Sequence, residues 1–544
     1  MSMQQILLSF GKGEDAGWLI MSNYLTATPS NHNYYGGQAT SLHRSHNGDK
    51  LYASEQWEDS NDSDAAKFGL RRIDLDGSNY TDLNYNRGLT NKANYSNRRD
   101  VYYKGSDIDS NDDLYYILNV RDGNGTNNYS YHHFEYMKYD TSASSHSWRH
   151  HIQGPAQWNS TGPRCNTGTS ICVFKNGTKF RIEGGQFYSY WQGSGYKNCH
   201  TTGLTSDGRG NDDQCLTPAD PGNETTRLHM MWGPMGRWGN QSNSNKVLFG
   251  AGQFIPPNSQ PAACFGVWDG TSISNLYKRN DTTPYTNTPS KARYLRQVIT
   301  RRDGSVGYIC VQEYIMVNSV QRTIASITRV DSSFNRTNYQ QEKTLDWNCN
   351  VAPIAVDDTG GSDDGCLYTV SRVTERVVLN GSDVDRTIPC LIKYDTSGNI
   401  DWIIKIDRPI NNVGGNGVGL EGTYVNLYTP KVTVAQDGSP IIYGKCQWND
   451  QPNNPNNNDA TDRYDWCTPF YLKLPADGSF EGTIGSSQHE KWTITKITNW
   501  TASSQSDNWT TMSTSTNSES WTDYTSPASS SASAYGKTST SITF

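Results

Sequence analysis

Residues 391–407 read "LIKYDTSGNIDWIIKID". Two runs rich in β-branched and aromatic side chains flank an Asp-Thr-Ser-Gly-Asn turn, and Trp402 opens the second run. Such a pattern predicts two antiparallel strands joined by a polar turn. The decisive property is recurrence. The same Asp-headed turn returns in "RRIDLDGSNY" (Asp74), "MKYDTSASSHSW" (Asp140), "GLTSDGRG" (Asp207), "FGVWDGTSIS" (Asp269), "ITRVDSSFN" (Asp331) and "LKLPADGSF" (Asp477), with Asp395 in the opening copy. Successive intervals are 66, 67, 62, 62, 64 and 82 residues. A steady period of this size is the mark of a repeat architecture.

A second ladder runs in phase with the first. Between 20 and 34 residues before each turn Asp lies a strand-like run carrying an aromatic: Tyr52, Tyr115, Phe180, Phe249, Tyr308, Tyr368 and Tyr443. Most of these runs follow a tight-turn pair, namely Asn47-Gly48, Asn176-Gly177, Asp303-Gly304, Asp364-Gly365 or Asp437-Gly438. Gly in such pairs accepts positive φ and so joins neighbouring antiparallel strands. Each module therefore reads strand–turn–strand, loop, strand–turn–strand. Four antiparallel strands per repeat with no helix between them define the blade of a β-propeller. Seven blades are expected, or eight if C-terminal strands form another half-blade. The ladder aromatics are expected to pack between blades, because a lone blade cannot cover both of its faces.

The expected organisation is an all-β propeller over residues 1–499 and an extended arm over 500–544. "ILLSFGKGEDAGWLIM" repeats the hairpin spacing, since Phe10 to Trp18 spans the same interval as Tyr394 to Trp402. The N-terminal hairpin 4–22 is thus expected to complete the last blade, with ring closure by strands from both termini. Inner strands for that closure are sought in "EKWTITKITNW" and beyond. From residue 500 onward Ser and Thr dominate and aliphatic side chains are few, which predicts an arm without a core of its own. Trp500, Trp509 and Trp521 punctuate it and suggest that it orders against a partner or its own propeller.

Composition narrows the function classes. Hydrophobic residues make up only 34% of the chain, which suits short strands and polar turns. The net charge of −7 over 544 residues provides no basic face for nucleic acid. No run approaches the roughly 20 apolar residues that cross a bilayer, and the N-terminus lacks the pattern of a secretory signal. The eleven cysteines contain no CxxC pair and are expected to be reduced, buried thiols, although Cys165 with Cys172 or Cys199 with Cys215 would be close enough in sequence to bridge a loop.

Chemical motifs are sparse. "DIDSNDD" (Asp107, Asp109, Asp112, Asp113) and "VDDTGGSDDG" (Asp357, Asp358, Asp363, Asp364) gather carboxylates of the kind that ligate Ca²⁺. Both fall where the period places an inter-strand turn, and neither has EF-hand spacing, so turn chemistry is expected. His132-His133 and His150-His151 alternate faces on a strand and do not chelate as pairs. The repeated Asp residues are read as turn caps, and the sialidase Asp-box spacing is not matched. No catalytic residue, metal site or cofactor is expected. The inserted "YSYWQGSGY" escapes the demands of blade packing, so Tyr188, Tyr190, Trp191 and Tyr196 are the candidate ligand contacts.

Repeats of the "IKYDTSGNIDWIIKI" kind, followed by a tail such as "SSSASAYGKTSTSITF", resemble propeller-bearing virion structural proteins of tailed bacteriophages, with those of cyanophages nearest in texture. That resemblance implies a non-enzymatic tail- or surface-associated virion protein, assembled in the host cytoplasm. Its propeller would dock or adhere, and its C-terminal arm would attach to neighbouring subunits. Expected partners are other virion proteins and copies of the same chain. Two alternatives remain open: a propeller that binds a host-surface glycan, and one that degrades a polysaccharide.

Overall fold

A computed structural model describes residues 4–10, 17–23, 38–57, 67–86, 99–122, 131–153, 168–173, 179–184, 199–205, 210–218, 235–239, 246–255, 260–268, 273–279, 294–317, 320–340, 354–379, 382–407, 426–449, 465–484, 492–498, 509–511 and 516–519. All regular structure among them is β, and every strand pairing is antiparallel. Six sheets are each built on four consecutive strands. Blade I comprises Gln38–Arg44, Lys50–Trp57, Lys67–Asp74 and Thr81–Asn86. Blade II comprises Arg99–Ile108, Leu114–Asp122, Tyr131–Asp140 and Ser145–Gln153. Blade III comprises Gly168–Val173, Lys179–Gly184, Cys199–Thr205 and Gly210–Pro218. Blade IV comprises Met235–Trp238, Lys246–Ile255, Gln260–Trp268 and Ile273–Arg279. Blade V comprises Tyr294–Thr300, Val306–Val317, Val320–Asp331 and Arg336–Gln340. Blade VI comprises Ile354–Val356, Leu367–Leu379, Ser382–Tyr394 and Ile400–Asp407.

The seventh sheet is a composite. Asn426–Val434, Pro440–Asn449 and Asp465–Lys473 supply three strands, Gly17–Asn23 takes the fourth place, and Gln4–Phe10 lies outside it. The register sets Trp18 opposite Lys473 and Met21 opposite Phe470. Self-contained four-stranded blades thus number six rather than the expected seven or eight, and the remaining sheet draws on both ends of the chain. The expected source of its inner strands is also corrected. With Gly17–Asn23 in the fourth place, the chain leaving Lys473 has no edge there to join. Trp492–Ile497 instead pairs with Ile400–Asp407 of blade VI, with Gly482–Ile484 outside it. Two pieces of the C-terminal arm also add to blades: Trp509–Thr511 pairs with Ile273–Arg279 of blade IV, and Thr516–Glu519 with Gly210–Pro218 of blade III.

The chain divides into two compact units, residues 1–88 with 341–503 and residues 89–340 with 504–544. In the first unit the composite sheet lies between blades VI and I, and strict alternation of its side chains covers both faces. Leu19, Met21, Val432, Val434, Ile442, Phe470 and Leu472 join a core with Tyr368, Leu391, Trp402 and Ile404 of blade VI. Their immediate neighbours Trp18, Ile20, Ile441, Tyr443 and Tyr471 face the other way, onto Ala39, Leu42, Leu51, Ala53 and Ile73 of blade I. A one-residue register slip would exchange the two sets, so the sandwiching fixes the pairing. Each fully buried aliphatic or aromatic side chain contributes about 1.5–3 kcal/mol. In the second unit the same layering joins blades IV and V through Trp238, Leu248, Phe265, Leu295, Val298, Ile309 and Val311.

The ladder aromatics among the described side chains are buried: Tyr52, Tyr115, Phe249, Tyr308, Tyr368 and Tyr443. Phe180 has no described side chain. The tight turns take the expected backbone form, with positive φ at Gly48, Gly304, Gly365 and Gly438.

A further joint lies between the fourth strand of one sheet and the Asp turn of the next. Trp18 lies flat on Gly77 of blade I, where a Cβ would come within 2.9 Å of the indole. Its Nε1 donates to the Leu75 carbonyl at 3.0 Å. Trp402 of blade VI covers Gly478 of the composite sheet in the same way, at 2.8 Å from the position of a Cβ. In the second unit Tyr277 of blade IV meets Phe334 of the blade V turn with ring centroids 6.2 Å apart, and Arg336 lies over the Tyr277 ring at 4.6 Å.

Gly77→Ala and Gly478→Ala are each expected to lower unfolding free energy by about 1–3 kcal/mol, through positive-φ strain plus displacement of the indole. Denaturant titration followed by Trp fluorescence measures this. Gly360→Ala is the control, because a Cβ there meets nothing within 4 Å and the change carries only the φ penalty.

Candidate functional site

Strand order determines which end of each blade carries which connection. In an up-and-down sheet, the turns joining first to second and third to fourth strands lie at one end. The second-to-third connections and the links to the next blade lie at the other. The first end holds the Gly and Asp turns. The strands that bound the links 24–37, 154–167, 219–234, 280–293 and 408–425, each twelve residues or longer, and those that bound the insertions 185–198 and 450–464, meet them at the second end of their own sheets.

The short-turn end is chemically self-contained. Asp140 Oδ1 accepts from the Ser142 and Ala143 amides at 2.9 and 2.8 Å and from the Ser142 hydroxyl at 2.7 Å. Asp331 and Asp395 each accept two turn amides and one Asn side chain, at 2.8–2.9 Å. Asp74 takes Asn79 Nδ2 at 2.7 Å, and Asp477 takes the Ser479 amide at 2.8 Å. The Ala143 N–H, then the Ser142 hydroxyl, hold the Asp140 carboxyl below its usual pKa; the Ser479 hydroxyl, then its amide, do so for Asp477. These are turn caps, as expected. Asp207 and Asp269 lie outside the described residues.

A lysine ladder accompanies them. Lys138, two residues before Asp140, sits 2.9 Å from Asp113 in the first turn of its own blade, and its ammonium lies 5.3 Å from the Tyr115 ring centroid. Lys393, two residues before Asp395, reaches Asp363 at 2.9 Å and Asp401 at 3.2 Å and lies 6.0 Å from the Tyr368 ring. Lys473 pairs with Asp437. The motif was present in the sequence as Lys-Tyr-Asp at two of these positions, but it acquires meaning only when the two turns of a blade are brought side by side.

The acidic runs are dispersed onto separate partners. In the first, Asp107 accepts from Arg237 Nη2 of blade IV at 2.9 Å and from the Val173 amide of blade III at 2.7 Å. Arg237 also donates to the Ile108 carbonyl at 2.6 Å. Tyr115 donates to Asp109 at 3.1 Å, and the Asn111 and Asp113 amides donate to Asp109 Oδ1. In the second, Asp358 binds Arg44 of blade I, Asp363 binds Lys393, and Asp364 accepts the Gly360 amide at 3.1 Å. Arg44 also donates to the Ala435 carbonyl of the composite sheet at 3.4 Å. In each unit an arginine–aspartate pair thus ties three sheets together, Arg237 with Asp107 and Arg44 with Asp358. Among the described residues no group of three His, Cys, Asp or Glu is placed to hold a metal ion. His132-His133 and His150-His151 lie on adjacent strands, with His133 opposite Gln153 and His151 opposite Glu135. Five cysteines, Cys172, Cys264, Cys310, Cys366 and Cys390, are buried free thiols.

The candidate contacts Tyr188, Tyr190, Trp191 and Tyr196 lie outside the described residues. The ends of their insertion are placed: Lys179–Gly184 pairs with Cys199–Thr205, with Gly184 opposite His200, so residues 185–198 leave blade III at the long-link end. This is the end opposite the neutralised turns.

No protein-family model and no curated protein sequence matches the chain. Among solved structures it is similar to a glycoside hydrolase at 10% identity and a TM-score of 0.25, covering 56% of this chain and 89% of that one. It is also similar to an exo-β-1,3-galactanase from Clostridium thermocellum at 12% identity and a TM-score of 0.30, covering 85% of this chain and 99% of that one. Likeness at this level transfers no activity. The expectation that the chain is not an enzyme is corrected to this extent: two of the solved structures it is similar to bear the names of a glycoside hydrolase and an exo-β-1,3-galactanase.

One carboxyl at the short-turn end departs from the pattern. Asp357 is fully buried; its Oδ1 accepts from the Thr359 amide and hydroxyl at 2.9 and 2.6 Å, whereas its Oδ2 and the nearby Ser439 hydroxyl have no hydrogen-bond partner. Burial raises its pKa, against the lowering effect of the Thr359 bonds and Arg44. A raised folded pKa favours the protonated form, so this contribution is complete below the ordinary carboxylate value and is lost as pH rises through the raised one. Asp357→Asn mimics the protonated state. It is expected to raise the denaturation midpoint at pH 7 and to give no gain near pH 3.

Proposed function

We propose that this chain is a surface-docking protein in which the aromatic-rich insertion of blade III, leaving at the long-link end of its sheet, meets an extended carbohydrate. The observation that carries the reading is the unequal chemistry of the two ends. Among the described residues, Asp357 apart, the carboxylates and cations named at the short-turn end are committed to each other and to turn amides, so recruiting one for a ligand would strand its partner. The strands that bound the aromatic-rich insertion of blade III direct it away from the turns of its own sheet. Flat aromatic faces of the kind the insertion carries suit stacking on sugar rings. Loops held by a rigid scaffold are the usual seat of recognition.

The resemblance to tail-associated virion proteins supports the setting, a particle surface bearing several copies. There, weak single-site contacts would add up through effective concentration.

A glycan array probed with the full chain should give binding that Trp191→Ala and Tyr188→Ala weaken by about tenfold or more, the loss of roughly 1.4 kcal/mol, with an unchanged denaturation midpoint. No bound glycan, or binding indifferent to both changes, would remove the reading. A reducing-end assay on the bound glycan separates docking from cleavage: released ends would assign an enzyme of the same surface.

A further inference from the structure

The chain beyond Lys473 lays strands along the outer edges of three sheets. Trp492–Ile497 lies on Ile400–Asp407 of blade VI, Trp509–Thr511 on Ile273–Arg279 of blade IV, and Thr516–Glu519 on Gly210–Pro218 of blade III. All three additions are antiparallel, but they are not held alike.

The blade VI seat is anchored. Trp492 and Ile494 are buried in the core that blade VI shares with the composite sheet, and the Trp492 ring centroid lies 5.3 Å from that of Phe470. Five residues pair there, from Thr493 opposite Asp407 to Ile497 opposite Ile403. The blade IV seat has three pairs, from Trp509 opposite Arg279 to Thr511 opposite Tyr277. The blade III seat has four, from Thr516 opposite Pro218 to Glu519 opposite Cys215. Thr516–Glu519 reads Thr-Asn-Ser-Glu and brings no apolar side chain to bury. Such a strand offers its seat main-chain N–H and C=O groups, and every copy of the chain offers the same ones. Water takes over those hydrogen bonds when the strand leaves, so the seat is held by a small margin.

Two lengths bear on what the segment can reach. Residues 498–508 separate the anchored strand from the blade IV seat, and an extended chain of that length spans roughly 36–40 Å. Residues 512–515 join the two weak seats, which belong to neighbouring blades of one unit, so the seats are filled or vacated together.

We infer that the outer edges of blades III and IV are an interaction surface for a second copy of this chain: residues 509–519 leave their own seats and pair, in the same register, with those of a neighbour. The exchange is reciprocal, so each copy recovers from its partner the pairing it gives up, and no vacated edge is left exposed. In an isolated chain the tether gives the segment a high effective concentration at its own seats. Copies held close together on a surface raise the competing concentration and favour the exchange. No residue of the blade III insertion takes part, so the inference stands apart from the carbohydrate reading.

Two full-length chains test this. Residues opposite each other in an antiparallel pair stand at a Cα separation that a disulfide can bridge, and Cys215 already lies opposite position 519. The donor carries Cys215→Ser with Glu519→Cys, and the acceptor is the natural chain. A 215–519 disulfide between donor and acceptor forms only across copies. Mass spectrometry of the mixed, oxidised and digested chains should find this bridge, with a yield that rises about fivefold or more when total concentration is raised tenfold. Glu519→Cys alone, kept dilute, should bridge to Cys215 within one chain. Asn517→Pro added to the donor removes an N–H from the paired run and should cut the bridge between copies by about tenfold. The inference is overturned if no 215–519 bridge forms between copies at any concentration. It is equally overturned if Asn517→Pro leaves that bridge unchanged, or if position 519 bridges to other cysteines as often as to Cys215.

Discussion

The structure depends on sheets covering one another. A four-stranded sheet with apolar residues on both faces cannot stand in water alone, and the composite sheet shows how the demand is met. Leu19 and Met21 face one neighbour while Trp18 and Ile20 face the other, within a single strand of seven residues. Because the side-chain period is two, register and burial enforce each other. The indole of Trp18 on Gly77 and that of Trp402 on Gly478 then fix how far one sheet can rotate against the next. Glycine at those turns serves two ends at once, accepting positive φ and admitting a ring where a methyl would collide.

Much of this was legible in the sequence because it is local. The Asp turn, the Gly turn and the spacing between them lie within one module, and each carries its own hydrogen-bond logic. The buried ladder aromatics follow from the same periodicity. What escaped reading was set by competition between distant segments. Trp492–Ile497 has the alternation of an inner strand as readily as of an outer one, and its place on blade VI follows from Gly17–Asn23 occupying the neighbouring position. No local pattern states which of two suitable strands reaches an edge. The aromatic insertion of blade III was legible as an insertion, and strand order adds the end of the blade from which it leaves.

The carboxylates illustrate the same limit. "DIDSNDD" and "VDDTGGSDDG" look alike as sequence, and each suggests a cup for a cation. In the fold their charges diverge: Asp107 to Arg237, Asp113 to Lys138, Asp358 to Arg44, Asp363 to Lys393. The cations come from another strand of the same blade or from a blade two places away, so the neutralisation is invisible until the blades are placed side by side.

That neutralisation constrains function as well as folding. Arg44 and Lys393 are nearly inaccessible, and a buried cation deprived of its carboxylate costs roughly 3–5 kcal/mol. A ligand that recruited Asp358 or Asp363 would have to supply more than this before it gained any affinity. The short-turn end is therefore a poor place for recognition, although it is rich in charged side chains. Polar groups without such obligations have to come from connections that no blade needs for its own pairing. Strand order starts the long ones at the opposite end of each sheet, away from these ion pairs.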